Sequence, residues 1–459
     1  MSRPQHPNIP WTGKSNGPRI LGINPWIMDF AAFNVWSRPV GLLACLDMMR
    51  GAGASVALMD CLDRTWPDSP EIVPWPKPGK YGTGHYPKEE LPLPEPLAFM
   101  DRRYSRYGLS RDIVRDALAA LNPAPDLVMV TSIMTYWYPG ALEILDIAAE
   151  LWPDVPRVLG GTYATLCTDH ARQHSNADLI MQGSLELPAN WAALWNLLGQ
   201  PVPPVPHNAG LTLALDLYSK PHYAPILGSR GCPFTCEYCA SHALYPDFNQ
   251  GEPDAIYASL RAEYDRGVRD FAFYDDALLI NPDRWLWPVL DQIITDGLEL
   301  RLHTPNAMHI RRLSPEVCQR LRSAGLHTVR LGLETTDFDN RHDVKLTRQE
   351  WEDGARNLLD AGYDLDDIGV YILFGLPEQN LDNVKQAVSH VRAFGFRPHL
   401  AHYTPIPGSP LFNKAADNSD YPIAEEPLFQ NNSIWPCVPG GFNWDEAKRW
   451  KLLLQGKDV

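Results

Sequence analysis

Cys232, Cys236 and Cys239 fall within eight residues, in a Cys-x3-Cys-x2-Cys spacing. They follow the apolar stretch Ala224–Leu227, so a strand that runs out into a loop carries them. Cysteine thiolates are the usual ligands of iron–sulfur clusters, and three ligands on a four-iron cube leave one iron open to bind something else. His242 lies three residues past Cys239, which keeps a Cys3His zinc site open on spacing alone. Three buried thiols without chemistry are the plainest alternative. The other cysteines, Cys45, Cys61, Cys167, Cys318 and Cys437, are scattered and read as small apolar fillers.

The elements that must position this loop repeat in order. Strand-like pieces lie at Ala224–Gly228, Asp270–Tyr274, Glu299–His303, Thr328–Glu334, Ile368–Phe374 and Pro398–Tyr403. Helical segments lie between them at Asp254–Arg266, Pro282–Asp296, Pro315–Ala324, Arg348–Ala361 and Leu381–Phe394. This alternation predicts a partial (β/α)6 barrel over 224–408, with chemistry on the loops at the carboxyl ends of the strands. The cysteine loop leaves the first strand, where that rule puts it. Residues 409–459, with Trp435, Cys437, Trp444 and Trp450, form a C-terminal extension expected to close the barrel's open side.

The front half is a second α/β unit. Short apolar strands at Arg19–Asn24, Ser55–Asp60, Asp126–Ser132, Pro156–Gly161 and Asp178–Gly183 alternate with helical stretches at Val40–Arg50, Gly140–Leu151 and Leu187–Leu198. Apolar strands spaced by helices mean a parallel sheet covered on both faces, here a doubly wound, flavodoxin-like domain over 18–200. Residues 1–17 read as a disordered lead-in. Trp66–Pro96 holds nine prolines and interrupts the domain as a linker or a lid. Pro201–Pro206 opens a linker over 201–223. Tyr136, Trp137 and Tyr138 follow the third strand at the edge where such sheets bind ligands, and three adjacent aromatics favour a flat partner. Gly160 and Gly161 would let backbone come close to a large ligand.

The chain of 459 residues has forty basic and fifty-five acidic residues, a net charge of −15, which argues against a nucleic-acid backbone as main partner. The sequence shows neither a signal peptide nor a membrane span, so a cytoplasmic protein with reduced thiols is expected.

Residues 224–408 resemble the radical S-adenosylmethionine (radical SAM) superfamily, and a doubly wound domain ahead of such a barrel resembles its cobalamin-binding class. The resemblance implies a 4Fe-4S cluster on Cys232, Cys236 and Cys239, with SAM chelating the open iron. It sets Tyr238 beside the adenine. Asp275 or Asp276, after the second strand, takes the place of the family's Gly-Gly-Glu turn and would pair with the SAM ammonium; capping the next turn is their alternative role. Asn306 would meet polar groups of substrate or SAM, and Glu334 the SAM ribose and carboxylate. Arg330, on the same strand, suits a structural ion pair equally well. Tyr371–Glu378 is similar to the family's Gly-x-Ile-x-Gly-x-x-Glu, with Gly375 and Glu378 matching, although Tyr371 replaces its first glycine and Leu373 its isoleucine. The histidine motif Asp-x-His-x-x-Gly of many cobalamin domains is absent, so any cobalamin is expected without a protein histidine under the cobalt.

The resemblance implies reductive cleavage of SAM to functionalise an unactivated carbon, with methyl transfer where cobalamin is bound. An electron donor such as flavodoxin or ferredoxin is implied as partner; the substrate is not legible. A cobalamin-free rearrangement or cyclisation and a zinc-stabilised binding protein without turnover stand as alternatives.

Overall fold

The computed structural model describes residues 9–66, 75–206, 211–341, 343 and 346–457. The chain divides after Ala224 into two compact units.

In the first unit, β1 (Arg19–Asn24), β2 (Ser55–Asp60), β3 (Leu127–Ser132), β4 (Arg157–Gly160) and β5 (Leu179–Ile180) form a parallel sheet in the order β2-β1-β3-β4-β5. Register is set by apolar pairs such as Ile20 with Val56 and Leu127, and Met129 with Val158. Both faces are covered, so the strands are mainly apolar and almost wholly buried, with polar residues at their ends. Helix α1 (Val40–Gly51) lies so close to β1 that a Cβ on Gly22 would stand 2.7 Å from Leu46 Cδ1. Helices α2 (Tyr138–Leu151) and α3 (Pro188–Leu197) follow β3 and β5. Trp191 and Leu194 of α3 join Ile20, Val56 and Leu127 in one core. The order reverses between β1 and β3, which makes their carboxyl ends the ligand crevice of a flavodoxin-like sheet.

Three expectations for this unit change. Residues 1–8 of the lead-in lie outside the described residues, but residues 9–17 are built into the fold. Thr12–Gly13 pairs antiparallel with Ser55–Val56, Ile9 is buried, and Trp11 Nε1 donates to the Pro123 carbonyl. Of the linker, residues 207–210 lie outside the described residues, yet Ala214, Leu215 and Tyr218 are buried in the first unit. The Ala214 amide donates to Leu43 O and the Tyr218 hydroxyl to Asp60. Of the proline-rich insertion, residues 67–74 lie outside the described residues. Lys88–Leu91 forms the outer strand of a small antiparallel sheet with Ile27–Asp29 and Tyr104–Tyr107, an edge position where proline-flanked backbone is tolerated.

The second unit's sheet runs in chain order: β6 (Tyr223–Ile226), β7 (Asp270–Phe273), β8 (Arg301–His303), β9 (Leu326–Glu334), β10 (Ile368–Phe374) and β11 (Arg397–His402). Helices α4 (Pro253–Asp265), α5 (Leu286–Thr295), α6 (Pro315–Ser323), α7 (Arg348–Asp360) and α8 (Leu381–Ala393) link successive strands. Side chains alternate along β10. Ile368, Val370, Ile372 and Phe374 are buried on the helix side, whereas Gly369, Tyr371 and Leu373 face inward. Phe374 meets Trp450 of α9 (Trp444–Leu454) edge-on, and it meets Trp435 in the same way. The extension therefore packs on the ends of the last two strands, where Trp435 also stacks on His402.

The helix expected over 282–296 is broken. Pro282–Arg284 is a single 3-10 turn after left-handed Asn281, and α5 starts anew at Leu286. The break seats Trp285, fully buried, against Gly228. A Cβ on Gly228 would lie 2.3 Å from two atoms of the Trp285 ring and 2.4 Å from a third. Gly228→Ala should therefore destabilise the protein by about 1–3 kcal/mol through overpacking, seen as a lower urea midpoint. An unchanged midpoint would contradict this packing.

Candidate active site

Gly228 begins the cysteine loop, and the loop is pinched at its base. Ser229–Arg230 pairs antiparallel with Asn249–Gln250, and the Gly251 amide donates to Gly228 O. Gly231 has φ +81°, and a Cβ there would lie 2.5 Å from Asp247 O, so the turn requires glycine. Within the loop the Cys239 amide donates to Cys236 O at 3.1 Å, and the Ser241 amide approaches Cys239 Sγ at 3.4 Å. Cys236 is buried; Cys232 and Cys239 are half-buried. Among the described residues no three His, Cys, Asp or Glu side chains are grouped to hold a single metal ion. A four-iron cube takes each thiolate on a different iron, so its ligands stand further apart than those of one ion. Three thiols on one pinched loop fit such a cube by donor chemistry. His242, the fourth ligand of a Cys3His site, instead sets Nε2 3.0 Å from Phe234 O.

The carboxyl end of β7 braces this loop. Buried Asp275 accepts from Ser229 Oγ at 2.5 Å and from the Gly228 amide at 3.4 Å. Burial pushes its carboxyl up to about 7, opposed by these hydrogen bonds. Asp276 stands more exposed and accepts from Ser241 Oγ at 2.8 Å; burial raises its carboxyl as well. Asn306 donates from Nδ2 to Tyr274 O at 3.1 Å and so ties the loop after β8 to the end of β7.

Opposite lies the turn after β9. Glu334 ends that strand with φ +65°, a conformation that side chains other than glycine rarely adopt. Arg341 holds it there: Nη2 donates to Leu333 O and Nη1 to Thr335 O, each at 2.9 Å. Arg341 pairs in turn with Asp343 at 2.7 Å, both side chains almost fully buried. Tyr238 Oη, from the cysteine loop, reaches Asp343 Oδ2 at 3.3 Å. Burial, then the charge of Glu334, drives the Tyr238 phenol well above its ordinary range and keeps it protonated. Tyr238, Glu334, Asp343, Leu373 and Glu378 line one cleft of about 770 Å³, part of it open to solvent. Gly375 has φ +85°, and its amide donates to Gln379 Oε1 at 2.6 Å. Glu378 pairs with Lys414 at 2.6 Å on the cleft's surface.

The structure thus brings Tyr238, Glu334 and Glu378 to one cleft, while Asp275, Asp276 and Asn306 cluster at the end of β7. Arg341, Asp343, Ser229 and Ser241 were not legible as site residues, because their partners are backbone carbonyls or residues distant in sequence.

In the first unit, Gly161 opens a short helix with φ +88°. A Cβ there would lie 2.6 Å from Ser132 O, so this glycine serves backbone packing on β3 and not the approach of a ligand. A Cβ on Gly160 would meet nothing within 4 Å, which leaves open space at the sheet edge. Tyr136 is buried, and Trp137 Nε1 donates to Asp29. Tyr138 stacks on Tyr163, whose hydroxyl lies 2.7 Å from His170 Nδ1. Thr135 Oγ1, at the end of the β3 loop, is buried without a hydrogen-bond partner. The open space at Gly160 leaves room for a ligand at this edge.

Residues 226–391 match the family model described as the radical SAM superfamily. The chain is 22% identical to an uncharacterized methyltransferase of Pyrococcus horikoshii over 68% of its length and 74% of the relative's. It is 24% identical to the anaerobic magnesium-protoporphyrin IX monomethyl ester cyclase of Cereibacter sphaeroides over 64% of its length and 53% of that protein's. In fold it is similar to the radical SAM methyltransferase TsrM of Kitasatospora setae, solved with tryptophan and a SAM analogue. The TM-score is 0.62 at 16% identity, covering 90% of this chain and 83% of TsrM. A second TsrM structure, with cobalamin and a 4Fe-4S cluster bound, gives 0.59.

Asp275 provides a test of the site's electrostatics. Its folded-state value of about 7 exceeds the unfolded value of about 3.9, so the folded protein holds this proton more tightly. The stability it contributes is full below about pH 4 and is lost as pH rises through about 7. In cofactor-free protein, Asp275→Asn should remove that part of the pH dependence from urea-unfolding midpoints. The same slope in variant and wild type would contradict the burial of this carboxyl.

Proposed function

We propose, for a chain in which residues 226–391 form a radical SAM superfamily domain, that the protein is a radical SAM methyltransferase with a 4Fe-4S cluster, SAM and cobalamin as cofactors. The observation that carries the reading is the pinched three-cysteine loop at the carboxyl end of the first barrel strand, inside the matched segment. The flavodoxin-like first unit, the fold shared with TsrM and the methyltransferase relative support the methyl-transfer part.

Cys232, Cys236 and Cys239 hold the cluster. Asp276 pairs with the SAM ammonium, since Asp275 is occupied in bracing Gly228 and Ser229. Glu334, held toward the cleft by Arg341, meets ribose or amino acid polar groups, and Tyr238 walls the adenosine side. Gly375 and Glu378 frame the far edge of that cleft, and Asn306 orients polar groups after β8. At the sheet edge of the first unit, Gly160 leaves room for a flat corrin. Tyr136, Trp137 and Gly161 shape that edge from beneath. When bound, the cluster supplies the electron that cleaves SAM, and the corrinoid relays the methyl group. A flavodoxin- or ferredoxin-type donor supplies reducing equivalents, in a cytoplasm that keeps the thiols reduced.

Three tests follow from these assignments. Replacing Cys232, Cys236 and Cys239 together by Ala should abolish iron binding and SAM cleavage, with Cys318→Ala unaffected; retained iron in the triple variant would overturn the cluster site. Asp276→Asn should weaken SAM binding roughly ten- to a hundred-fold, the loss of one charge-assisted bond. Unaltered affinity would return Asp276 to turn structure. Cobalt(II) electron paramagnetic resonance should give a base-off signal without nitrogen superhyperfine splitting. The motif histidine is absent, and His170 already faces the Tyr163 hydroxyl. Nitrogen splitting would contradict this.

A further inference from the structure

The inner face of the second unit's sheet carries a basic group that the site above does not use. Arg330 on β9 lies in register with Gly369 of β10, and Tyr371 with His399 of β11. Gly369 clears the space between them: a Cβ there would stand 2.9 Å from Arg330 Cδ and 2.8 Å from His399 Nε2. Arg330 Nη1 donates to the carbonyls of Val329 and Asp367, at 3.1 and 3.2 Å, and the guanidinium stands beside the Tyr371 hydroxyl. Tyr371 occupies the position where the related motif has glycine, and its hydroxyl donates to Pro305 O at 3.0 Å. Among the described residues no carboxylate pairs with Arg330. Of the nearby acids, Asp367 is engaged with His327 at 3.5 Å and Asp366 with Arg397 at 2.8 Å, and Glu334, whose charge reaches Tyr371, forms no ion pair with Arg330. The structural ion pair that the sequence left open for Arg330 is therefore not formed among the described residues.

A half-buried guanidinium beside a histidine, with no anion of its own, is a costly arrangement unless something negative joins it. Burial, then Arg330 and Arg397, hold His399 down at about 4, so it stays neutral and can neither replace nor balance the charge. The guanidinium's planar fork suits a carboxylate or phosphate.

We infer that Arg330, roofed by Tyr371, is the anchor for an oxyanion at one end of the substrate. This rests on the proposed radical SAM reading and names the substrate class for its barrel. Arg330 precedes Glu334 by four residues, roughly 13 Å along a strand. A molecule anchored at Arg330 must therefore span that depth to present a carbon near the cysteine loop. Between the two levels the inner face offers Tyr371, Leu373 and Ala401 to an apolar body, while Glu334 folds back over Gly332, its Oε1 2.7 Å from where a Cβ there would stand. The class is an elongated acid with its anionic group at the end remote from the reacting carbon.

The test uses the full chain, reconstituted anaerobically, and calorimetric titration with hexanoate, hexyl phosphate and the neutral hexanamide. Wild type should bind at least one anion and not the amide, and the tighter of the two anions identifies the headgroup. Arg330→Gln should weaken anion binding roughly ten- to a hundred-fold, the loss of a charge-assisted pair, with SAM affinity unchanged. Arg397→Gln, at the exposed Asp366 pair, should leave both unchanged. Equal anion binding by wild type and Arg330→Gln would overturn the inference. So would amide binding as tight as hexanoate, or no binding of either anion to wild type. A matching loss of SAM affinity would assign Arg330 to the SAM carboxylate and overturn it too. If Arg330→Gln does not fold, Arg330→Lys and the hexanoate–hexanamide difference decide. Failure of wild type to bind or cleave SAM would count against the parent reading alone.

Discussion

The second unit's site depends on one buried ion pair, Arg341 with Asp343. Arg341 grips the carbonyls on both sides of Glu334, and Asp343 receives the Tyr238 hydroxyl from the cysteine loop. A left-handed non-glycine residue costs of order 1–3 kcal/mol and persists only where its surroundings over-determine it. Here the two Arg341 hydrogen bonds do so, and the same cluster of charges fixes where Tyr238 stands. Removing one partner of such a pair leaves an uncompensated buried charge, which costs more than the pair contributes. The carboxylate and the aromatic wall of the cleft are therefore one mechanical unit.

The cysteine loop is held from other sides as well. Asp275 takes its first residues, a two-residue ladder closes its base, and the Leu411 amide reaches Glu237 O at 2.8 Å from the C-terminal segment. Much of the ordering entropy is thereby lost on folding and not on cofactor binding. The price appears in Asp275, whose carboxyl is pushed up by burial until a proton or a nearby cation offsets it.

Much of this was legible in the sequence, because parallel strands buried on both faces read as apolar runs. Ile368–Phe374 is such a run, and the structure ends it at the same residues. The strands at Ile27–Asp29, Lys88–Leu91 and Tyr104–Tyr107 were not legible, being short, charged and set among prolines. The break at Trp285 left no periodic trace, since the ring it buries faces a glycine far back in the chain. Arg341 looked like one more charge in a polar turn, because backbone carbonyls carry no residue signature. Arg330 and His399 meet only through the register of β9, β10 and β11. An arginine between apolar neighbours, Val329 and Leu331, was the available signal, and its surroundings could not be read without that register.

If the three cysteines carry an iron–sulfur cluster in a protein that also binds a corrinoid, both must be found in the isolated protein. Metal, sulfide and corrinoid analysis of anaerobically purified wild-type protein tests it most directly. About four irons with matching sulfide per chain are expected, with corrinoid retained after reconstitution. One zinc per chain with no sulfide and no corrinoid would contradict it.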